Sequence, residues 1–287
     1  MADVDPYHSH SFEELAALPT VFAHDVFEDQ VVLITGGAGG IGTAMSVLFG
    51  RLGATIVATG RTAASLDRLA EQLASIDVVC HPIAMTVRDP EAVAASLDAV
   101  LERHGRLDHV INNAGGQFAA PALDITPKGW AAVVETNLYG TWFMMQEAAR
   151  RWIEQERPGN VVNISTIQGR ASVGIAHTAA ARAGGVALTR SLAVEWAPHH
   201  IRVNSIGVGV IASEGLRNYP PEARASFGHN PMRRLGDVWD IAQGAVYLSS
   251  AAADFVTGIH LDITGGEHVW GEYWALGKPD WFRTEAD

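Results

Sequence analysis

Two clusters along this chain of 287 residues have the residue types and spacing for chemistry. The first is TGGAGGIG, Thr35–Gly42, in which Gly36, Gly37, Gly39, Gly40 and Gly42 surround Ala38 and Ile41. Glycine lets backbone N–H groups approach a pyrophosphate, and a helix that opens at such a turn adds partial positive charge. A glycine-rich turn by itself is weak evidence. This one follows an unbroken apolar run, VVLIT (31–35), and precedes a helical pattern, which is the context a phosphate cradle needs. The next apolar run, ATIVATG (54–60), leads from Thr59 and Gly60 into Arg61. An NAD site usually carries an acidic residue there for the ribose diol. A guanidinium instead suits a 2′-phosphate, which it grips with charge-assisted, bidentate hydrogen bonds. The expected cofactor is NADP(H), preferred over NAD(H).

The second cluster is His177, Thr178 and Arg182. Thr178 and Arg182 are four apart, so on a helix they share a face. The threonine hydroxyl ionises far above neutral pH, so it donates a hydrogen bond but does not readily release a proton. The arginine is always charged, so it stabilises negative charge without shuttling protons. His177 is the one nearby side chain that titrates near neutrality, and it lies about 100° round the helix from Thr178.

These groups must be held by regular elements. VVLIT lacks alternation, as expected of a strand buried on both faces. A helix then runs to about Leu52, followed by strand ATIVATG, helix SLDRLAEQLA, strand DVVCHPIAM and helix DPEAVAASLDAVLERHG. That last helix has an Asp–Pro start and a Gly stop. LDHVINNAG reads as a fourth strand with its exit turn. Helix 127–156, strand 160–165, helix 176–197, strand 201–206 and strand 258–263 complete the series. The alternation implies βαβ units and a single α/β domain of the doubly wound Rossmann type, with a parallel sheet and helices on both faces. The expected divisions are an N-terminal arm over 1–28, the domain over 29–268 and an aromatic tail over 269–287. His8 and His10 lie in the arm and read as part of a solvated tail, so no metal is expected.

Bulk composition narrows the class. Apolar residues make up 48% and charged residues 18%, an ordinary globular balance. The single cysteine, Cys80, excludes an internal disulfide and a thiolate metal cluster, and a reducing, cytoplasmic setting fits. The first twenty residues lack the apolar core of a signal peptide, and no run of about 18 apolar residues predicts a membrane span. A net charge of −12 argues against a nucleic-acid surface.

Several stretches, in order from about 28 to 270, resemble the short-chain dehydrogenase/reductase family. The cradle spacing G-x-x-x-G-x-G (Gly36, Gly40, Gly42) is one, and NNAG (112–115) is another. The resemblance implies that Asn113, Ala114 and Gly115 support the cofactor. It implies that Asn137, in ETNLYG, holds a water of the proton relay. Thr86, followed by Val87, stands where the family often has an aspartate facing the adenine. IRVNSIGVGVIASEG (201–215) is similar to the segment that presents backbone groups to the nicotinamide, which places Gly209, Ile211 and Ser213 at the cofactor. The family usually has Pro-Gly where this chain has Val208-Gly209.

In that family a serine bonds the substrate oxygen, a tyrosine transfers the proton, and a lysine four residues on lowers the tyrosine pKa and holds the ribose. Here Ser165 or Thr166 takes the hydroxyl position, Thr178 replaces the tyrosine and Arg182 the lysine. The sequence resembles the 2,4-dienoyl-CoA reductase branch, most clearly the peroxisomal type, where the tyrosine is also missing and a histidine stands in the place of His177. That branch keeps its lysine and has an acidic residue four positions later, where this chain has Arg182 and Val186. Catalytic candidates are therefore Asn137, Ser165, Thr166, His177, Thr178 and Arg182, with Arg182 also on the ribose.

The chemistry suits this set. Ketone reduction creates an alkoxide that needs a proton at once, whereas reducing a C=C conjugated to a thioester moves charge onto the thioester oxygen. Hydroxyl donors can hold that oxyanion. The leading expectation is an NADPH-dependent enoyl- or 2,4-dienoyl-CoA reductase. The alternatives are an alcohol/ketone dehydrogenase with a relay through His177, and a non-catalytic NADP-binding scaffold or sensor. Residues 212–235 read as a substrate lid whose Arg217, Arg224, Arg233 and Arg234 could grip CoA phosphates beside Pro220-Pro221. The tail aromatics Trp270, Tyr273, Trp274, Trp281 and Phe282 should bury against a subunit or a pocket wall. The resemblance implies a homotetramer acting on a small-molecule substrate.

Overall fold

The computed structural model describes residues 8–279, apart from 170, 172, 214, 215, 217, 218, 220, 225, 226, 229, 272–274 and 276. VVLIT forms β1 (Val31–Thr35), buried along its whole length. β2 (Thr55–Gly60), β3 (Cys80–Ala84), β4 (His109–Asn112), β5 (Gly159–Thr166), β6 (Ile201–Val208) and β7 (His260–Ile263) join it. They make one sheet in the order β3-β2-β1-β4-β5-β6-β7, with every pairing parallel. Parallel strands need helical crossovers, and these cover both faces.

On one face lie α1 (Phe12–Ala17), α2 (Gly40–Arg51), α3 (Ala63–Ala74) and α9 (Val238–Ser249). On the other lie α4 (Pro90–His104), α5 (Pro127–Val134), α6 (Gly140–Glu154) and α7 (Ala176–Trp196). A short α8 (Pro221–Arg224) falls within the segment expected to be a lid. Successive β1 residues feed opposite cores, Val32 and Ile34 into one and Val31 and Leu33 into the other. α4 shows how local sequence sets an element. Asp89 accepts from the backbone of Glu91 and Ala92, Pro90 takes the first turn, and Gly105 ends the helix at φ 67°.

Three segments differ from the reading of the sequence. The expected helix 127–156 is broken by one π-helical turn, Glu135–Tyr139, between α5 and α6. Thr141 donates its hydroxyl to the Asn137 carbonyl within this distortion. The last strand starts at His260 rather than 258, because Gly258 sits at φ 79° and cannot extend the ladder. The arm over 12–28 is packed rather than solvated. Ser11 and Glu14 form a capping box, Phe12 and Leu15 are buried, and Phe27 is fully enclosed beside Phe49. Arg51 donates to the carbonyls of Leu15 and Leu18, and the Trp239 indole donates to Pro19. His10 meets Asp237 at 2.7 Å. A short apolar segment reads as a tail until the α2–α9 surface that receives it is known.

Candidate functional site

Strand order reverses between β1 and β4, and a cleft of 460 Å³ opens beyond the carboxyl ends of the strands at this switch point. Gly36, Gly39, Thr59, Arg61, Thr86, Val87, Asn113, Ala114 and Gly115 line it. Gly36 makes the turn at φ 65°, and a Cβ on Gly42 would stand 2.1 Å from the Gly36 carbonyl oxygen. A Cβ on Gly37 would stand 2.8 Å from that of Ala58. Gly37, Gly40, Ile41 and Gly42 thus fall outside the lining, and Gly37 and Gly42 serve the close approach of turn, helix and β2. α2 begins at Gly39, which has no side chain to cap it, so the first N–H groups of the helix are left for a ligand.

The opposite wall is fixed by Thr35. Its hydroxyl accepts from the backbone N–H of Asn113 (3.0 Å) and of Ala114 (2.9 Å). The Asn113 amide in turn donates to the carbonyls of Thr35 and Gly36. A polar residue closing an otherwise apolar strand was the available signal for this clamp, and the reading of the sequence did not use it. Asn112, Asn163 and Thr189 form a second buried chain of side-chain bonds between β4, β5 and α7 that was also missed.

Asn137 sits in the π turn, buried, and its amide makes a two-way bond with the backbone of Gly116 at 2.9 Å in each direction. Its side chain therefore holds the loop after β4. Arg182 reaches from α7 into the same region. Its guanidinium donates to the Ile164 carbonyl and lies so close to Gly115 that a Cβ there would collide with it. Burial pushes its pKa down to about 10, which leaves it charged at neutral pH. Its Nε is buried with no hydrogen-bond partner among the described residues.

Ser165 is buried at the end of β5 and donates to the Arg182 carbonyl at 3.4 Å, while the next residue, Thr166, is half-buried. At the head of α7 both His177 and Thr178 are buried. The His177 Nδ1 accepts from the Thr178 N–H at 2.8 Å, which assigns the ring proton to Nε2. Nε2 is buried without a partner among the described residues, and the ring packs edge-on against Phe118 at 4.4 Å.

Gly209, Ile211 and Ser213 lie outside the 460 Å³ cleft. Gly209 donates to Ile263, and Ile211 bridges to Gly236. The structure thus gathers the residues expected at the pyrophosphate and the 2′-phosphate around one cleft, while Gly209 and Ile211 line a separate pocket with Thr264 and Gly265. Within the expected lid, Arg234 is committed to Asp240 at 2.9 Å. Arg217 and Pro220 lie outside the described residues, as do Tyr273, Trp274, Trp281 and Phe282 of the tail. Trp270 is half-buried.

A dinucleotide fits these residues. The Thr59 hydroxyl is buried, with no partner among the described residues, where the cleft passes β2. Arg61 stands exposed at its rim, with no ion pair or hydrogen bond among the described residues. Arg88, by contrast, is already paired with Glu135.

Fold and cleft together define a Rossmann-type dinucleotide-binding protein. A family model described as enoyl-(acyl carrier protein) reductase matches residues 36–268. A "probable 2,4-dienoyl-CoA reductase [(2E)-enoyl-CoA-producing]" of Bacillus subtilis is 37% identical over 246 residues, covering 84% of this chain and 97% of its own. The rat peroxisomal 2,4-dienoyl-CoA reductase, (3E)-enoyl-CoA-producing, is 37% identical over 252 residues, with 86% of each covered. Among solved structures, a citronellol catabolism dehydrogenase of Pseudomonas aeruginosa superposes with a TM-score of 0.79 at 31% identity, covering 87% of this chain and 99% of that one. The chain belongs to the short-chain dehydrogenase/reductase family and is a nicotinamide-dependent oxidoreductase of it, resembling the 2,4-dienoyl-CoA reductases. No helix among the described residues is long and apolar enough to cross a membrane.

Proposed function

We propose that the protein uses NADPH to reduce a conjugated carbon–carbon double bond in an enoyl- or 2,4-dienoyl-CoA. The observation that carries this reading is the head of α7. Thr178 stands where a phenolic acid is expected, and the imidazole that meets it among the described residues is that of the buried His177. The names of the relatives support the same substrate class.

A nicotinamide bound in the cleft would supply hydride for the far carbon of the conjugated system. The electron pair of the reduced double bond then moves onto the thioester oxygen. Hydroxyls of Ser165, Thr166 and Thr178 donate to that oxyanion, the role preorganised donors play at developing charge. A held water, to which the His177 Nε2–H donates, gives the proton that completes the product at carbon and is itself reprotonated from solvent. The turn around Gly36 and Gly39 would hold the pyrophosphate, Arg61 the 2′-phosphate, and Arg182 the ribose hydroxyls. Arg182 also places a fixed positive charge near the reacting region. The proposal extends to a homotetramer, which family membership suggests.

The test follows NADPH oxidation by the purified protein. A 2,4-dienoyl-CoA, a 3-ketoacyl-CoA and a free ketone are offered separately. Turnover of the dienoyl-CoA alone is the expected result. Turnover of a ketone, lost in a His177→Ala variant, would replace the proposal with a His177 relay. NADPH binding without turnover of any of the three would favour a scaffold.

A further inference from the structure

We propose that His8, His10 and Glu14 bind one zinc-class divalent transition-metal ion, which fastens the N-terminal arm to the base of the 212–235 segment. One ligand atom from each of the three side chains lies within 4.8 Å of the others. The His8 Nε2 is 3.2 Å from the Glu14 Oε2. Bonds of about 2.0–2.1 Å in a tetrahedral site put neighbouring ligand atoms roughly 3.3 Å apart, so this edge is already at metal-binding length. The edge between the His10 Nδ1 and Glu14 Oε2 is 3.8 Å and needs a closure of about half an ångström.

A simple pair of His–Glu contacts does not account for His10. Its Nδ1 is buried and has no hydrogen-bond partner among the described residues, an arrangement that costs free energy unless something occupies it. Its other nitrogen, Nε2, meets the Asp237 carboxylate at 2.7 Å. A carboxylate on the far nitrogen is how metal-bound histidines are oriented and made more basic. Glu14 is oriented too, since its Oε2 accepts from the Ser11 backbone at 2.7 Å. That N–H is the largest cause holding the Glu14 carboxyl below its usual range, which keeps it an anionic ligand. Two imidazoles and one carboxylate suit zinc or its neighbours rather than calcium or magnesium, and water fills the fourth position.

The site joins two parts of the fold. Asp237 caps α9, and its neighbour Gly236 pairs with the strand-like segment at Val210–Ala212 that leads into the 212–235 segment. An ion held by His10 therefore anchors the arm where that segment returns to the domain.

The test uses the untagged full-length chain, stripped with a chelator, and isothermal titration with zinc chloride. One saturable site per chain is expected, with a rise in melting temperature on zinc addition. His8→Ala, a change at a half-exposed side chain, should weaken binding at least tenfold, and so should Glu14→Gln. Asp237→Asn keeps a competent helix cap but removes the carboxylate behind His10, so zinc affinity should fall about 10- to 100-fold. Cobalt(II) in place of zinc should give the visible absorption of a tetrahedral site in the wild type and not in His8→Ala. Absence of a stoichiometric site, or a site that survives unchanged in His8→Ala and Glu14→Gln, overturns the proposal.

Discussion

Replacing Thr35 by valine keeps the shape of a fully buried side chain and removes only its hydroxyl. That hydroxyl serves two backbone N–H groups, but the two are not equally dependent on it. The Asn113 N–H also reaches the Ile111 carbonyl at 3.0 Å, whereas the Ala114 N–H has Thr35 alone. The substitution therefore strands one buried donor. A buried donor left unsatisfied costs about 1–3 kcal/mol, and the hydroxyl's own donation to Ile111, at 3.4 Å, adds little. Thr35→Val should lower the unfolding free energy by about 1–3 kcal/mol. It should also loosen the wall of Asn113, Ala114 and Gly115, and a shift of about 1.4 kcal/mol there is a tenfold loss of NADPH affinity. Guanidinium unfolding followed by tryptophan fluorescence measures the first, and NADPH fluorescence titration the second. Thr35→Ser, which keeps the acceptor, should bind NADPH as the wild type does. A valine variant that unfolds within about 0.5 kcal/mol of the wild type, with unchanged affinity, would show that the Thr35 hydroxyl is not the clamp.

Other perturbations read other parts of the molecule. His109 is buried between Gln30 and Asn160, and burial pushes its pKa down to about 4, below the unfolded value near 6.5. The unfolded chain then binds the extra proton between these values, so stability falls as pH drops from 6.5 towards 4. At pH 5 this one residue should cost about 2 kcal/mol relative to pH 7.5. His109→Gln should show a correspondingly shallower loss in equilibrium unfolding, and equal slopes would refute the assignment. Gly42→Ala forces a methyl into the Gly36 carbonyl and should abolish measurable NADPH binding while costing about 1–3 kcal/mol of stability. Gly105→Ala meets no atom within 4 Å but must hold φ 67°, so it should cost about 1–2 kcal/mol and leave nucleotide affinity intact. Arg61→Ala should weaken NADPH about ten- to a hundredfold in direct titration and leave NADH unchanged; equal losses for both would place the 2′-phosphate elsewhere.

The cleft was legible in the sequence because its determinants are local. Glycines between an apolar run and a helix, and an arginine closing the next strand, carry their meaning within a few residues. The β strands were legible for the same reason, since VVLIT and ATIVATG have no polar face to offer water. Long-range geometry was not legible. Glu135–Tyr139 has ordinary helical residues, and its π turn arises among contacts with Gly116, Thr141 and Val87. Phe12 and Leu15 look like stray hydrophobics until α2 and α9 are in place, although Ser11-x-x-Glu14 already carried the signature of a helix start. The Asn137 amide is engaged by backbone twenty-one residues away, which nothing in ETNLYG announces.

The bonds from Thr35 to Asn113 and Ala114 also bear on how the chain reaches its fold. They join residues 78 and 79 apart, and the central β1–β4 pairing has the same reach. Such distant pairings form slowly because a long loop must close before any contact rewards it. The nucleotide cleft lies on this seam, so it is complete only when both halves of the sheet have docked. A cofactor that binds there selects the finished molecule over partly assembled ones, and at a hundredfold excess over its dissociation constant it stabilises that molecule by about 2.7 kcal/mol. The supply of dinucleotide in the cell thereby becomes a determinant of how long a newly made chain escapes proteolysis.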